Sequence, residues 1–200
     1  MKSNLFFQGD IRIGKSTHLR KTINTYNLNI VGMTVQRVFC QSQFYGFQAS
    51  YVTSLPLAEV DIPYQAQIGG IFLSKQEQKS SIVEDIIQQI VDTVISSKIK
   101  PFIILDEIGG IELQNSAVRK SLQEILQSDA PTVGILKSRK NLLHAIDRNS
   151  LYPILLDYWD ELSEILRSSN SLHTISHDNL EQIDMKSKLF IEFNQACKLD

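Results

Sequence analysis

Gly9-Asp10-Ile11-Arg12-Ile13-Gly14-Lys15-Ser16 constrains this chain more than any other stretch. Two glycines five positions apart are followed at once by Lys and Ser. They sit behind the apolar run Leu5-Phe6-Phe7 and ahead of a helix-compatible segment, and match G-x-x-x-x-G-K-[ST] at every fixed position. Each fixed position has a physical reason. The glycines let the backbone curl round a polyphosphate, so that its N–H groups and the N-terminus of the next helix point at negative charge. Lys15 is placed to reach the β- and γ-phosphates, and the Ser16 hydroxyl to bind Mg²⁺. With Gly at about 7% of residues, chance gives such a match in roughly one chain of this length in a hundred. The candidate nucleotide-binding set is therefore Gly9, Asp10, Ile11, Arg12, Ile13, Gly14, Lys15, Ser16 and Thr17.

A second motif, Pro101-Phe102-Ile103-Ile104-Leu105-Asp106-Glu107, reads as a buried parallel strand with a carboxylate at its C-terminal tip, where α/β sheets place their ligands. Asp106 is the expected partner of the Mg²⁺ held by Ser16. Glu107, directly after it, is positioned to take a proton from, or to orient, the water that attacks a γ-phosphate. Alone, an apolar run ending in Asp-Glu is ordinary; paired with residues 9–16 it becomes specific. Lys15 and Glu107 are thus the candidate catalytic residues, and Ser16 and Asp106 the candidate metal ligands.

The 200 residues suit one α/β domain spanning 1–200, large enough to be stable without staples. A net charge of −2 offers no basic field for nucleic acid, which argues against that partner class and leaves any protein partner unspecified. Cys40 and Cys197 are far apart and lack zinc-type spacing, so they read as buried or idle reduced thiols. With no signal-peptide pattern and no membrane-length apolar run, the expected location is the cytoplasm, with no membrane association.

Strand and helix patterns alternate along the chain. Leu5–Phe7 reads as a strand and Ser16–Tyr26 as a helix. Ile30–Met33, Val35–Phe39 and Phe44–Val52 read as strands joined by a hairpin. Ile82, Val83, Ile86, Ile87, Ile90, Val91, Val94 and Ile95 form a helical stripe within Ser80–Ile95. Then come a strand at Phe102–Leu105, a helix near Ser116–Leu126, a strand at Thr132–Leu136 and a short helix near Leu142–Ile146. The tail offers the apolar segment Ile154–Leu156, a helix near Trp159–Leu166, a short strand near Leu172–Ile175 and a last helix near Leu180–Cys197.

The loop with Lys15-Ser16-Thr17, the segment Val31-Gly32 leading into a hairpin that ends at Gly46-Phe47, and above all Leu105-Asp106-Glu107-Ile108-Gly109 with Glu112-Leu113 carry a resemblance. In that order and spacing, over about residues 4 to 137, they resemble the small P-loop nucleoside-triphosphatase family related to nucleotide kinases. The resemblance implies a RecA-like, mostly parallel sheet flanked by helices, with a β-hairpin insertion near residues 33–54. It also implies Mg²⁺-dependent hydrolysis of ATP, GTP and other nucleoside triphosphates to the diphosphate and phosphate. Arg12 stands where most members carry Gly or a small or neutral residue. The Asn-Arg-Asp signature often found before the last helix is absent at His177-Asp178-Asn179.

Weaker candidates surround this set. Lys137, after the Thr132–Leu136 strand, could sense the γ-phosphate, or be a solvated member of Lys137-Ser138-Arg139-Lys140. Arg12 could serve as an arginine finger in cis or point outward, and Arg37 could face a phosphate or be an exposed strand charge. Phe44, Tyr45 and Phe47 could stack on a base or simply pack. Two alternatives to a triphosphatase stay open. A nucleotide or small-molecule kinase would need an Arg-bearing lid, and no run between Ser54 and Ser80 supplies its arginines. A GTPase-type switch or nucleotide-binding module would satisfy D-x-x-G at Asp106–Gly109, but lacks an Asn-Lys-x-Asp to read guanine.

Overall fold

The computed structural model describes residues 4–64, 71–74, 79–143 and 154–197. Its strands are β1 (Asn4–Gln8), β2 (Ile30–Cys40), β3 (Gln43–Val52), β4 (Asp61–Pro63), β5 (Ile71–Ser74), β6 (Phe102–Ile108), β7 (Thr132–Leu136) and β8 (Leu172–Thr174). Its helices are α1 (Lys15–Ile23), α2 (Ser80–Ser96), α3 (Ser116–Gln127), α4 (Ile154–Ser168) and α5 (Glu181–Ala196). All eight strands join one sheet in the order β5-β3-β2-β6-β7-β1-β8, with β4 added beside the far end of β2. Strands β2, β6, β7, β1 and β8 run parallel; β3 and β5 are antiparallel to their neighbours.

The central strands are continuous apolar runs because the sheet is covered on both faces. Alternation divides their side chains. Phe6, Ile103 and Leu105 face the core that α2, α3 and α4 close with Ile87, Ile90, Leu122, Trp159 and Leu166. Phe7, Phe102, Ile104 and Val133 face the core that α1 and α5 close with Leu19, Ile23, Ile183 and Ile191. This period of two has a consequence for the site: after Leu105 on the first face, Asp106 emerges on the face that carries α1.

The mostly parallel α/β sheet and its hairpin are present, with several differences from the sequence reading. β2 runs unbroken through Thr34, whose side chain is buried in the strand. The hairpin turns on Gln41 and Ser42, at φ 49° and 63°, a primed two-residue turn built without glycine. β4 and β5 lie in a stretch that carries no clear periodicity. α1 ends at Ile23, earlier than expected, and residues 154–156 form the first turn of α4, since Leu155 continues the buried stripe of Trp159, Leu162 and Leu166. Residues 139–143 are helical. The rest of the short helix expected to reach Ile146 lies outside the described residues. Cys40 and Cys197 are exposed free thiols, not buried ones.

Candidate functional site

The loop after β1 is shaped by close approach and by handedness. A Cβ on Gly9 would lie 2.1 Å from the carbonyl oxygen of Ile175, just past β8, so the β1 tip passes too near another backbone for any side chain. Gly14, at φ 98°, is the N-cap of α1. No side chain caps this helix and its first turn holds no acid, which leaves its leading N–H groups to an anion. Arg12 adopts φ 63°, a left-handed conformation costing an L-residue about 1–2 kcal/mol. That is a physical reason for a glycine-like residue at this position. Its side chain is exposed, as are those of Asp10, Ile11 and Thr17.

Lys15 is buried, and its Nζ donates to the carbonyls of Gly9 at 3.2 Å and Asp10 at 2.6 Å. Desolvation pulls its pKa below that of an ordinary lysine, against the opposing fields of Glu107, Asp106 and Asp10. Behind it, Ser16 Oγ donates to Asp106 Oδ1 at 2.8 Å, so hydroxyl and carboxylate oxygens meet beneath the loop. The second oxygen of Asp106 is taken by Arg20, whose Nε donates at 3.1 Å and whose Nη2 donates in a shorter contact. Both side chains of this ion pair are nearly inaccessible to solvent. Motif reasoning passes over Arg20, yet a signal for it exists. Ser16, Leu19, Arg20 and Ile23 share one face of α1 at i, i+3, i+4 and i+7, so Arg20 is placed inward.

Glu107 breaks the strand. Pairing of β6 with β7 shifts register between Leu105 and Ile108, and Glu107 has φ 61°. In a regular strand it would face away from Asp106; the irregularity re-aims it. Burial raises the Glu107 pKa first, Asp106 and, more weakly, Glu112 add to the rise, and Lys137 and Lys15 oppose it. The following turn is pinned by Glu112, a buried residue whose Oε1 accepts from the N–H groups of Gly109 at 2.6 Å and Gly110 at 2.7 Å. A Cβ on Gly110 would lie 2.8 Å from Lys137 Nζ and 2.9 Å from Glu112 Oε2, which puts that ammonium over the same turn. Lys137 is held by its backbone: its N–H donates to Ile108 at 2.8 Å and its carbonyl accepts from Trp159 Nε1 at 2.6 Å.

The structure thus gathers Lys15, Ser16, Asp106, Glu107 and Lys137 where β1, β6 and β7 end. Arg37 lies apart, on the far reach of β2, bonded through Nε and Nη2 to both carboxylate oxygens of Asp61 at 2.6 and 2.8 Å. The hairpin aromatics pack on one another: Phe44 meets Phe39 and Phe47 edge-on, and Tyr45 meets Tyr64. His18, on α1, joins Asp184 of α5 at 3.0 Å, and Thr22 donates to the same carboxylate at 2.6 Å. For a cation, Ser16 Oγ and Asp106 Oδ1 form an all-oxygen pair of the kind Mg²⁺ accepts alongside phosphate oxygens and water. The donor set fits that ion.

A glycine-bent loop opening a helix, with an Asp-Glu strand tip one strand removed from it, defines a P-loop nucleotide-binding protein. Comparison with known proteins narrows the class. The sequence model of a family described as NTPase matches residues 4–166. The nucleoside-triphosphatase THEP1 of Saccharolobus solfataricus is 26% identical over 139 residues, covering 66% of this chain and 74% of that protein. The crystal structure of THEP1 from the hyperthermophile Aquifex aeolicus superposes with a TM-score of 0.51 at 17% identity, covering 90% of this chain and 95% of the other, and bears on the fold. The chain belongs to the NTPase family, P-loop enzymes that hydrolyse nucleoside triphosphates. Among the described residues, no helix is long and apolar enough to cross a membrane.

Proposed function

We propose that this protein is a Mg²⁺-dependent nucleoside triphosphatase of broad base tolerance, taking ATP, GTP and related triphosphates to diphosphate and phosphate. Every described strand belongs to a single sheet, which supports reading the chain as one domain. The observation that bears most weight is the turned Glu107 beside Asp106, with Lys15 and Lys137 both close enough to act on its charge.

The geometry supports the following roles. The loop N–H groups and the first turn of α1 receive the phosphates. Lys15, held by two loop carbonyls, exchanges them for phosphate oxygens, the stronger acceptors. Ser16 and Asp106 would hold Mg²⁺, which when bound neutralises charge on the β- and γ-phosphates. Glu107 orients the attacking water and accepts its proton. Its raised pKa brings it nearer the working pH and makes it a better base than an ordinary carboxylate. Lys137, directly after β7, the strand between the loop strand and the Glu107 strand, supplies positive charge as the phosphoryl group transfers. Arg37, committed to Asp61, is a structural charge in this reading. The proposed place of action is the cytoplasm.

Phosphate release from a panel of nucleoside triphosphates with Mg²⁺, run with and without nucleoside monophosphates, tests this. Free phosphate from several bases without acceptor is the expected result, abolished in Lys15→Ala. A phosphorylated acceptor in place of free phosphate would replace hydrolase by kinase.

A further inference from the structure

Arg20 is a buried cation on the phosphate-loop helix, and its bonds describe a junction. Nε and Nη2 both donate to Asp106 Oδ2. Nη2 also reaches the carbonyl of Val35 on β2 at 2.7 Å, and Nη1 reaches those of Ala58 at 2.9 Å and Glu59 at 3.0 Å. All five N–H donors of the guanidinium are therefore used, three on backbone carbonyls that fix its plane and two on one oxygen of one carboxylate. Those carbonyls are themselves anchored. Asn24, the C-cap of α1, exchanges two bonds with the backbone of Leu57, at 2.7 and 3.2 Å, and Gln36 Nε2 donates to Glu59 at 2.7 Å.

A buried Arg–Asp pair is weak evidence of stabilisation, because an apolar pair of the same volume often does as well. Its value here lies in direction. A carboxylate bound on Oδ2 by a rigid fork cannot rotate, so Oδ1 stays turned to Ser16, the other candidate metal ligand. Lysine could not substitute, being a point charge with three donors facing four acceptor atoms that Arg20 meets with five bonds. We infer that Arg20 is a positioning residue that presents Asp106 to the metal and ties that presentation to the Ala58–Glu59 connection. This rests on the Mg²⁺ reading above.

The test measures how much Mg²⁺ is needed to bind a fluorescent nucleoside-triphosphate analogue, with free Mg²⁺ set by chelator, so that binding and not turnover is read. Arg20→Lys should raise the half-saturating Mg²⁺ by about tenfold or more, as loss of a residue supporting a metal ligand does. In an Asp106→Asn background the same change should add nothing. Should Arg20→Lys fold poorly, the neutral pair Arg20→Met with Asp106→Asn, of similar volume, should match Asp106→Asn alone. Asn24→Ala loosens the same connection without touching the guanidinium, and should raise the Mg²⁺ requirement by less than Arg20→Lys does; an unchanged requirement there would overturn the tie to the connection. An unchanged requirement in Arg20→Lys, or a further rise in either double variant over Asp106→Asn, would overturn the inference. Wild-type binding that ignores Mg²⁺ would overturn the metal reading and this inference together.

Discussion

Replacing Glu107 with Gln should move stability and activity in opposite directions. The side chains have nearly the same volume and the same Cβ, so the cost of holding φ 61° cancels between them. The charge does not cancel. Burial and the neighbouring Asp106 raise the Glu107 pKa above its unfolded value, so the folded state holds this proton more tightly. Its contribution to stability is then fully present below the ordinary Glu range and is lost as pH rises through the raised folded value. In the metal- and nucleotide-free protein, Glu107→Gln should therefore unfold at a higher temperature than wild type at pH 8, and the two should converge near pH 4. Turnover should fall by about 100- to 10,000-fold, the range general-base catalysis supplies, equivalent to about 3–5 kcal/mol of barrier. Nucleotide affinity should hold. Calorimetry across pH in chelator, steady-state phosphate release and a binding titration read the three quantities. Wild-type turnover would move the base elsewhere. A variant less stable than wild type at pH 8 would refute the electrostatic account.

Activity should vanish with chelator and return with Mg²⁺, and Ser16→Ala and Asp106→Asn should each raise the Mg²⁺ needed for turnover; metal-independent hydrolysis contradicts both roles. Gly9→Ala forces a Cβ against the Ile175 carbonyl at 2.1 Å, where ordinary contact begins at 3.4 Å. It should cost about 1–3 kcal/mol, or several degrees of Tm; an unchanged Tm would show that β8 is not held against the loop. Asp184, against a desolvation that would raise it, is kept below the usual carboxylate range by bonds from Thr22 and His18. Its stabilisation is present above the unfolded pKa and lost as pH falls through the lowered folded one. Asp184→Asn should thus weaken resistance to urea at pH 7 and not at pH 2, and equal loss at both would point to packing instead.

The elements that can be read from sequence are those whose pattern has a single solution. Residues 9–16 allow one backbone course, and Phe102–Leu105 one buried strand. The stripe from Ile82 to Val94 allows one helix, of which α2 is the realisation, with Ile95 left exposed at its end. β4 and β5 escaped because they are short additions at the sheet margin, specified by pairing with β2 and β3 and not by their own periodicity. Ile154–Leu156 shows the ambiguity of short apolar runs, which strand and helix share until Trp159 and Leu162 extend the stripe. Within the site, Lys15, Ser16 and Asp106 could be named from spacing. Arg20 could not be named from a motif, since its partners lie 15 to 86 positions away. The role of Glu112 is likewise invisible without the turn it pins.

What local rules disfavour collects in one place. Arg12 and Glu107 take left-handed backbone, and Lys15, Arg20, Asp106 and Glu112 are buried charged side chains. Each would be cheaper elsewhere in the sheet: a glycine at 12, a regular strand at 107, apolar side chains at 20 and 106. Such costs persist only where surrounding structure enforces them. Here the enforcement is explicit, in the carbonyls of Val35, Ala58 and Glu59 on Arg20, the N–H groups of Gly109 and Gly110 on Glu112, and Trp159 on Lys137. The two carboxylates of the Asp-Glu tip are thereby given different tasks by different neighbours. Asp106 is locked by a cation on one oxygen and hydrogen-bonded on the other, as befits a metal ligand. Glu107, raised by burial and by Asp106 against the pull of two lysines, keeps the higher proton affinity that a base requires.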